Sequence, residues 1–96
     1  MTPDLRYYKR RWNESRGDDF ARWGASDWYF EVGPDGWPVR QLERYEDGTV
    51  LKYDTTHVED EYGGLSEAAL DPAEYQVFAI SSAEFDTIWA SEALNR

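Results

Sequence analysis

DWYFEVGPDGWPVRQLERYEDGTVLKYD, residues 27–54, is the stretch whose reading decides the fold. Trp28, Phe30 and Val32 alternate with Tyr29 and Glu31, the period-two pattern of a half-buried strand. Gly-Pro-Asp-Gly at 33–36 follows as a turn, where Pro34 presets φ and Gly36 permits a positive one. Residues 37–45 then form a second strand. Trp37, Val39, Gln41, Glu43 and Tyr45 share one face, and Pro38, Arg40, Leu42 and Arg44 share the other. Glu-Asp-Gly at 46–48 marks an Asp-Gly hairpin, and Thr-Val-Leu-Lys-Tyr at 49–53 closes a third strand. The rings at 28, 30, 37, 45 and 53 fall mostly on alternate strand positions, so much of the aromatic content reads as sheet packing.

Outward from this meander, LRYYKRRW at 5–12 adds a strand with Tyr8, Arg10 and Trp12 on one face. NESRGDDFARWGASD at 13–27 reads as a long loop whose Phe20 and Trp23 tuck back onto the body. Residues 54–74 read as irregular and acidic, with YGGLS a glycine-rich bend. DPAEY at 71–75 predicts one helical turn, capped by Asp71 and opened by Pro72. QVFAI at 76–80 is a short apolar link or an edge strand. SSAEFDTIWASEAL at 81–94 is the clearest helix. Ser81 and Glu84 have capping-box spacing, Ser82 is an alternative cap, and Phe85, Ile88 and Trp89 form one apolar stripe. That stripe is expected to be buried against the sheet. The fold class is therefore α+β: an antiparallel sheet of about four strands with a C-terminal helix packed on one face, in a single domain over residues 1–96.

The residues in this order resemble a family of small acidic, Trp-rich bacterial domains of uncharacterised function. The matching positions are Asp35, Gly36, Trp37, Val39 and Arg40, then Asp47 and Gly48, then Glu84, Phe85 and Trp89. The likeness covers the chain apart from the loop at 13–26. It implies no active site. In overall style such chains are similar to immunity-type proteins, which neutralise a toxin in the same cell.

Composition narrows the function. A chain of 96 residues buries roughly 60–65% of its unfolded surface, so its core is limited. With 17% aromatic residues, a few rings do the work of a larger aliphatic core. There is no Cys, which excludes disulfides, thiolate metal sites and a Cys nucleophile and fits a reducing cytoplasm. No apolar run has signal-peptide character or the length to span a membrane.

Net charge is −10, unevenly spread. Residues 1–52 hold nine Lys/Arg against ten Asp/Glu, a net of −1, whereas residues 53–96 hold one against ten, a net of −9. Such a field repels nucleic acid and anionic membranes and attracts basic partners.

Chemical motifs are sparse. The one histidine, His57, has Asp54, Glu59, Asp60 and Glu61 nearby, but no second histidine supports a metal site. No Gly-x-Ser-x-Gly elbow supports a Ser-His-Asp triad, and YGGLSE lacks the Lys of a phosphate-cradling loop. A chain this short leaves little room for a sugar cleft between paired carboxylates. No catalytic residue, metal or cofactor is assigned. RYYKRRW, with Lys9, Arg10 and Arg11 beside Tyr7, Tyr8 and Trp12, offers phosphate contacts and base stacking. The net charge opposes the backbone electrostatics that dominate nucleic-acid affinity.

The favoured expectation is a non-enzymatic protein-binding domain, in its most specific form an immunity-type inhibitor covering a basic toxin active site. The alternatives are a nucleic-acid-binding module through the Tyr7–Trp12 strand and a small enzyme. The expected partner-binding residues are Glu59, Asp60, Glu61, Tyr62 and Glu67, where carboxylates surround a ring in a bend.

Overall fold

A computed structural model describes residues 5–91. Four strands, β1 (Arg6–Trp12), β2 (Ser26–Val32), β3 (Pro38–Tyr45) and β4 (Val50–Asp54), form one antiparallel sheet in the order β1-β2-β3-β4. Arg10 pairs with Trp28, Trp28 with Glu43, and Glu43 with Leu51, which puts these four on one face. Two further strands, β5 (Glu59–Asp60) and β6 (Gly63–Gly64), make a small separate hairpin. Helix α1 (Pro72–Tyr75) leads into a 3-10 turn at Gln76–Phe78, and α2 (Ser82–Ser91) closes the described chain. Residues 92–94 of the expected helix lie outside the described residues.

Local chemistry accounts for the joints. Gly36 and Gly48 have φ of 86° and 95°, as their turns require. Asp47 Oδ1 accepts the Thr49 N–H, and Gly48 N–H donates to the Tyr45 carbonyl. A Cβ at Gly48 would meet nothing within 4 Å, so a substitution there is costly through backbone strain alone. Gly48→Val is expected to lower stability by about 1–2 kcal/mol in urea unfolding. An unchanged midpoint would remove the turn assignment. Asp71 caps α1 through the Ala73 N–H, and Ser81 Oγ accepts the Glu84 N–H at 3.0 Å to start α2.

The helix lies where its stripe directs it. Phe85 is buried with Tyr29, Leu42 and Val50, and Tyr7, Ile80, Ile88 and Trp89 pack around them. Only Phe85 of the stripe is fully buried. Ile88 and Trp89 are half-buried, packed at the margin of this cluster. Trp89 stacks on Phe85 and lies beneath Lys52, whose Nζ donates to the Trp89 carbonyl at 2.7 Å.

The second sheet face is covered too, which corrects the half-buried reading of β2. Tyr29 and Glu31 are buried as deeply as Phe30 and Val32. The loop after β1 brings Phe20 and Trp23 onto Tyr45, Leu51 and Tyr53, and the segment after β4 adds Tyr62 and Leu65. Leu70, Tyr75 and Phe78 cover Tyr8, Phe30 and Val32. The QVFAI segment is a 3-10 turn and not a strand. Its end bridges Tyr8 through Ala79, and Ile80 N–H donates to the Tyr7 carbonyl, so it shields part of the β1 edge. Trp37 sits in the turn before β3 and stays half-exposed.

Candidate protein-binding face and aromatic cleft

Most cations of the first half are occupied within the molecule. Arg40 forks onto Glu31 at 2.8 and 2.7 Å, reaches Asp86 of α2 at 2.8 Å and lies over the Phe85 and Trp89 rings. The Arg40 hydrogen bonds hold the Glu31 carboxyl below its ordinary value against the opposing effect of burial. Arg10 pairs with Glu74 at 2.9 Å and lies over Tyr75 and Phe78. Arg11 approaches Glu46 and Asp27 at 3.3 and 3.6 Å. Arg16 binds Asp18 and the Tyr62 carbonyl and rests on Phe20 and Trp23.

The basic stretch of β1 is accordingly divided. Tyr7 faces α2, Tyr8 is buried on the opposite face, and Lys9 lies over the Tyr29 ring.

Among the five residues expected to bind a partner, two have inward roles. Asp60 Oδ1 accepts the Tyr53 hydroxyl and the Tyr62 N–H, both at 2.9 Å, and Oδ2 lies 3.4 Å from His57 Nε2. Tyr62 packs its ring against Phe20 and Trp23. Together they pin the β5–β6 bend to the sheet. Gly64 is required there by close approach, since a Cβ would stand 2.9 Å from the Val58 carbonyl oxygen. The other three, Glu59, Glu61 and Glu67, are exposed. None of them has an ion pair or side-chain hydrogen bond among the described residues. His57 stacks on Tyr53 with the rings 6° from parallel. Among the described residues no group of three or more His, Cys, Asp or Glu is placed to hold a metal ion.

Beside this acidic bend runs a cleft absent from the sequence reading. One lobe, about 280 Å³, is mainly apolar, with Trp28, Phe30, Leu70 and Tyr75 in its walls. The second, about 350 Å³, is lined in part by Arg16, Ser26, Glu43 and Tyr45. Trp12 and Trp28 border both lobes. Trp12 is 48% exposed, and Trp28 is fixed by its indole N–H donating to Ser26 Oγ at 2.7 Å.

Glu43 is 4% exposed. Its carboxylate accepts from the Tyr45 hydroxyl and from Gln41 Nε2. Burial pushes the Glu43 carboxyl above its ordinary value, and the Tyr45 and Gln41 hydrogen bonds, with the more distant Arg16 charge, offset desolvation only in part. The Tyr45 hydroxyl is also raised, by burial and by the Glu43 charge beside it. Gln41 in turn binds the Gly64 carbonyl and accepts the Ser66 N–H, holding the bend over the cleft. A signal for Glu43 was present in the sequence: it shares a strand face with Tyr45 and Val39, an unusual position for a solvated carboxylate.

No protein family, curated protein or solved structure compared with this chain matches it. No helix among the described residues is long and apolar enough to cross a membrane.

Proposed function

We propose that this chain is a non-enzymatic binding domain for a protein with a basic surface, engaged through Glu59, Glu61 and Glu67. The observation that carries the reading is that these three carboxylates are exposed and without ion pairs among the described residues, while Arg10, Arg11, Arg16 and Arg40 are engaged elsewhere. Leaving carboxylates unneutralised on one bend steers a cationic partner to it and repels anionic ones. Asp60 and Tyr62 enter as supports that hold the bend in shape. In its most specific form the domain is an immunity-type inhibitor, its carboxylates standing in for phosphates over the basic active site of a nuclease toxin. That form places it in the cytoplasm, where a cysteine-free chain is indifferent to the reducing environment.

The test is affinity capture at low salt with the unaltered chain and with a Glu59→Lys, Glu61→Lys, Glu67→Lys variant. Asp60 is left intact because its hydrogen bonds are structural. The variant should keep its melting temperature and lose capture of a basic protein at least tenfold, about 1.4 kcal/mol. Capture by the unaltered chain should also fall with salt, since exposed charges are screened over about 10 Å at 0.1 M. Normal capture by the triple variant would place the interface elsewhere.

A further inference from the structure

We propose that the cleft between Trp12 and Trp28 seats one arginine side chain of the basic partner, its guanidinium against the indoles and its N–H groups directed at the Glu43 carboxylate. This rests on the preceding reading of a basic protein partner and adds the residue that anchors it.

Three observations converge on an arginine. Glu43 is nearly fully buried yet has no ion pair among the described residues. Buried carboxylates are ordinarily paired, and two neutral donors leave part of the acceptor capacity of this one unused. Next, Glu43 lines a lobe of about 350 Å³ that Trp12 and Trp28 border, and indole faces are the strongest aromatic partners for a cation. Finally, the surroundings of the lobe carry the right field. Gly64 lines this lobe and also a neighbouring hollow walled by Glu59 and Glu67, so the unpaired carboxylates stand next to the lobe.

A planar guanidinium suits the site better than an ammonium, because it stacks on indole while its fork of donors matches two carboxylate oxygens. Arg16 borders the same lobe, and its charge reaches Glu43 through a hydrogen bond to the neighbouring Tyr45 hydroxyl, but it makes no ion pair with Glu43. Its guanidinium is otherwise held by Asp18, the Tyr62 carbonyl and the rings of Phe20 and Trp23.

The experiment titrates the labelled protein with a capped glycine–serine pentapeptide bearing a central arginine, and with the same peptide bearing the neutral isostere citrulline. The arginine peptide should shift the Trp12 and Trp28 indole resonances saturably, and citrulline should bind at least tenfold more weakly. Glu43→Gln should abolish the preference for arginine. Trp12→Ala, at a half-exposed position that leaves the core intact, should weaken the arginine peptide at least tenfold, so the test stands even if Glu43→Gln fails to fold. Equal binding of the two peptides, shifts confined to other regions, or full affinity in Trp12→Ala would overturn the arginine seat, whether or not the triple Lys variant loses its partner. If the peptide results hold while the triple variant captures normally, the seat stands and the role of the acidic bend falls.

Discussion

Phe85→Ala is expected to lower stability by about 3–5 kcal/mol, the usual cost of emptying a buried phenylalanine site. Phe85 is 1% exposed and is the one fully buried residue of α2. It contacts the Tyr7 ring at 5.4 Å, stacks on Trp89 and lies under Arg40, so its loss opens a void that the sheet cannot fill. A small domain has roughly 5–15 kcal/mol in total, so the variant should sit close to its unfolding transition. Trp89→Ala, at a half-buried position, should cost clearly less. Urea unfolding followed by tryptophan fluorescence measures both. Equal losses at the two positions would mean that the helix packs along its whole length and not chiefly through Phe85.

Arg40→Ala is expected to cost a similar amount, about 3–5 kcal/mol, because it strands a charge in the interior. Glu31 is 7% exposed, and without Arg40 its remaining side-chain donor is the Tyr7 hydroxyl. The link from Arg40 to Asp86 is lost as well, which loosens α2. Glu31→Gln in the Arg40→Ala background should recover part of the loss, since no charge is then left unpaired. Arg40→Lys should keep the charge but not the fork, and fall between.

The pair also sets a pH dependence. The folded Glu31 carboxyl lies below its ordinary value of 4.5, so its contribution is complete above pH 4.5 and is lost as pH falls through the lowered value. Arg40→Ala should abolish that acid-side loss. Glu43 acts in the opposite sense: its raised value penalises the fold at neutral pH, and the penalty disappears as pH falls through the raised value toward 4.5. An Arg40→Ala variant within about 1 kcal/mol of the unaltered chain would show that Glu31 finds another donor or becomes neutral.

Much of the scaffold was legible residue by residue. The four strands of the main sheet fall within one or two positions of their expected limits, whereas β5 and β6 lie in the segment at 54–74 that reads as irregular; Gly36 and Gly48 have the positive φ their turns demand, and Asp71 and Ser81 cap the two helices. The covering of the second face was not legible. It is made by single rings, Phe20, Trp23, Tyr62 and Tyr75, delivered from segments with no periodicity of their own. In the candidate site, Glu59, Glu61 and Glu67 lie exposed, whereas Asp60 and Tyr62 turn inward. Spacing did not separate the two groups, because an aspartate two residues before a tyrosine in a bend can turn back onto that residue's N–H, as it does here.

By itself the sequence determined the meander, its turns and the apolar stripe of the final helix, because alternation, positive φ and caps are decided by neighbours a few positions apart. Only the tertiary structure decided which charges are neutralised and which remain. Arg40 meets Asp86 across 46 positions, Arg10 meets Glu74 across 64, and Glu43 is enclosed when Gln41 clamps the segment at 64–66 above it. Spacing along the chain cannot rank such long-range pairings, since each depends on which side chain the fold brings within a few ångströms of another.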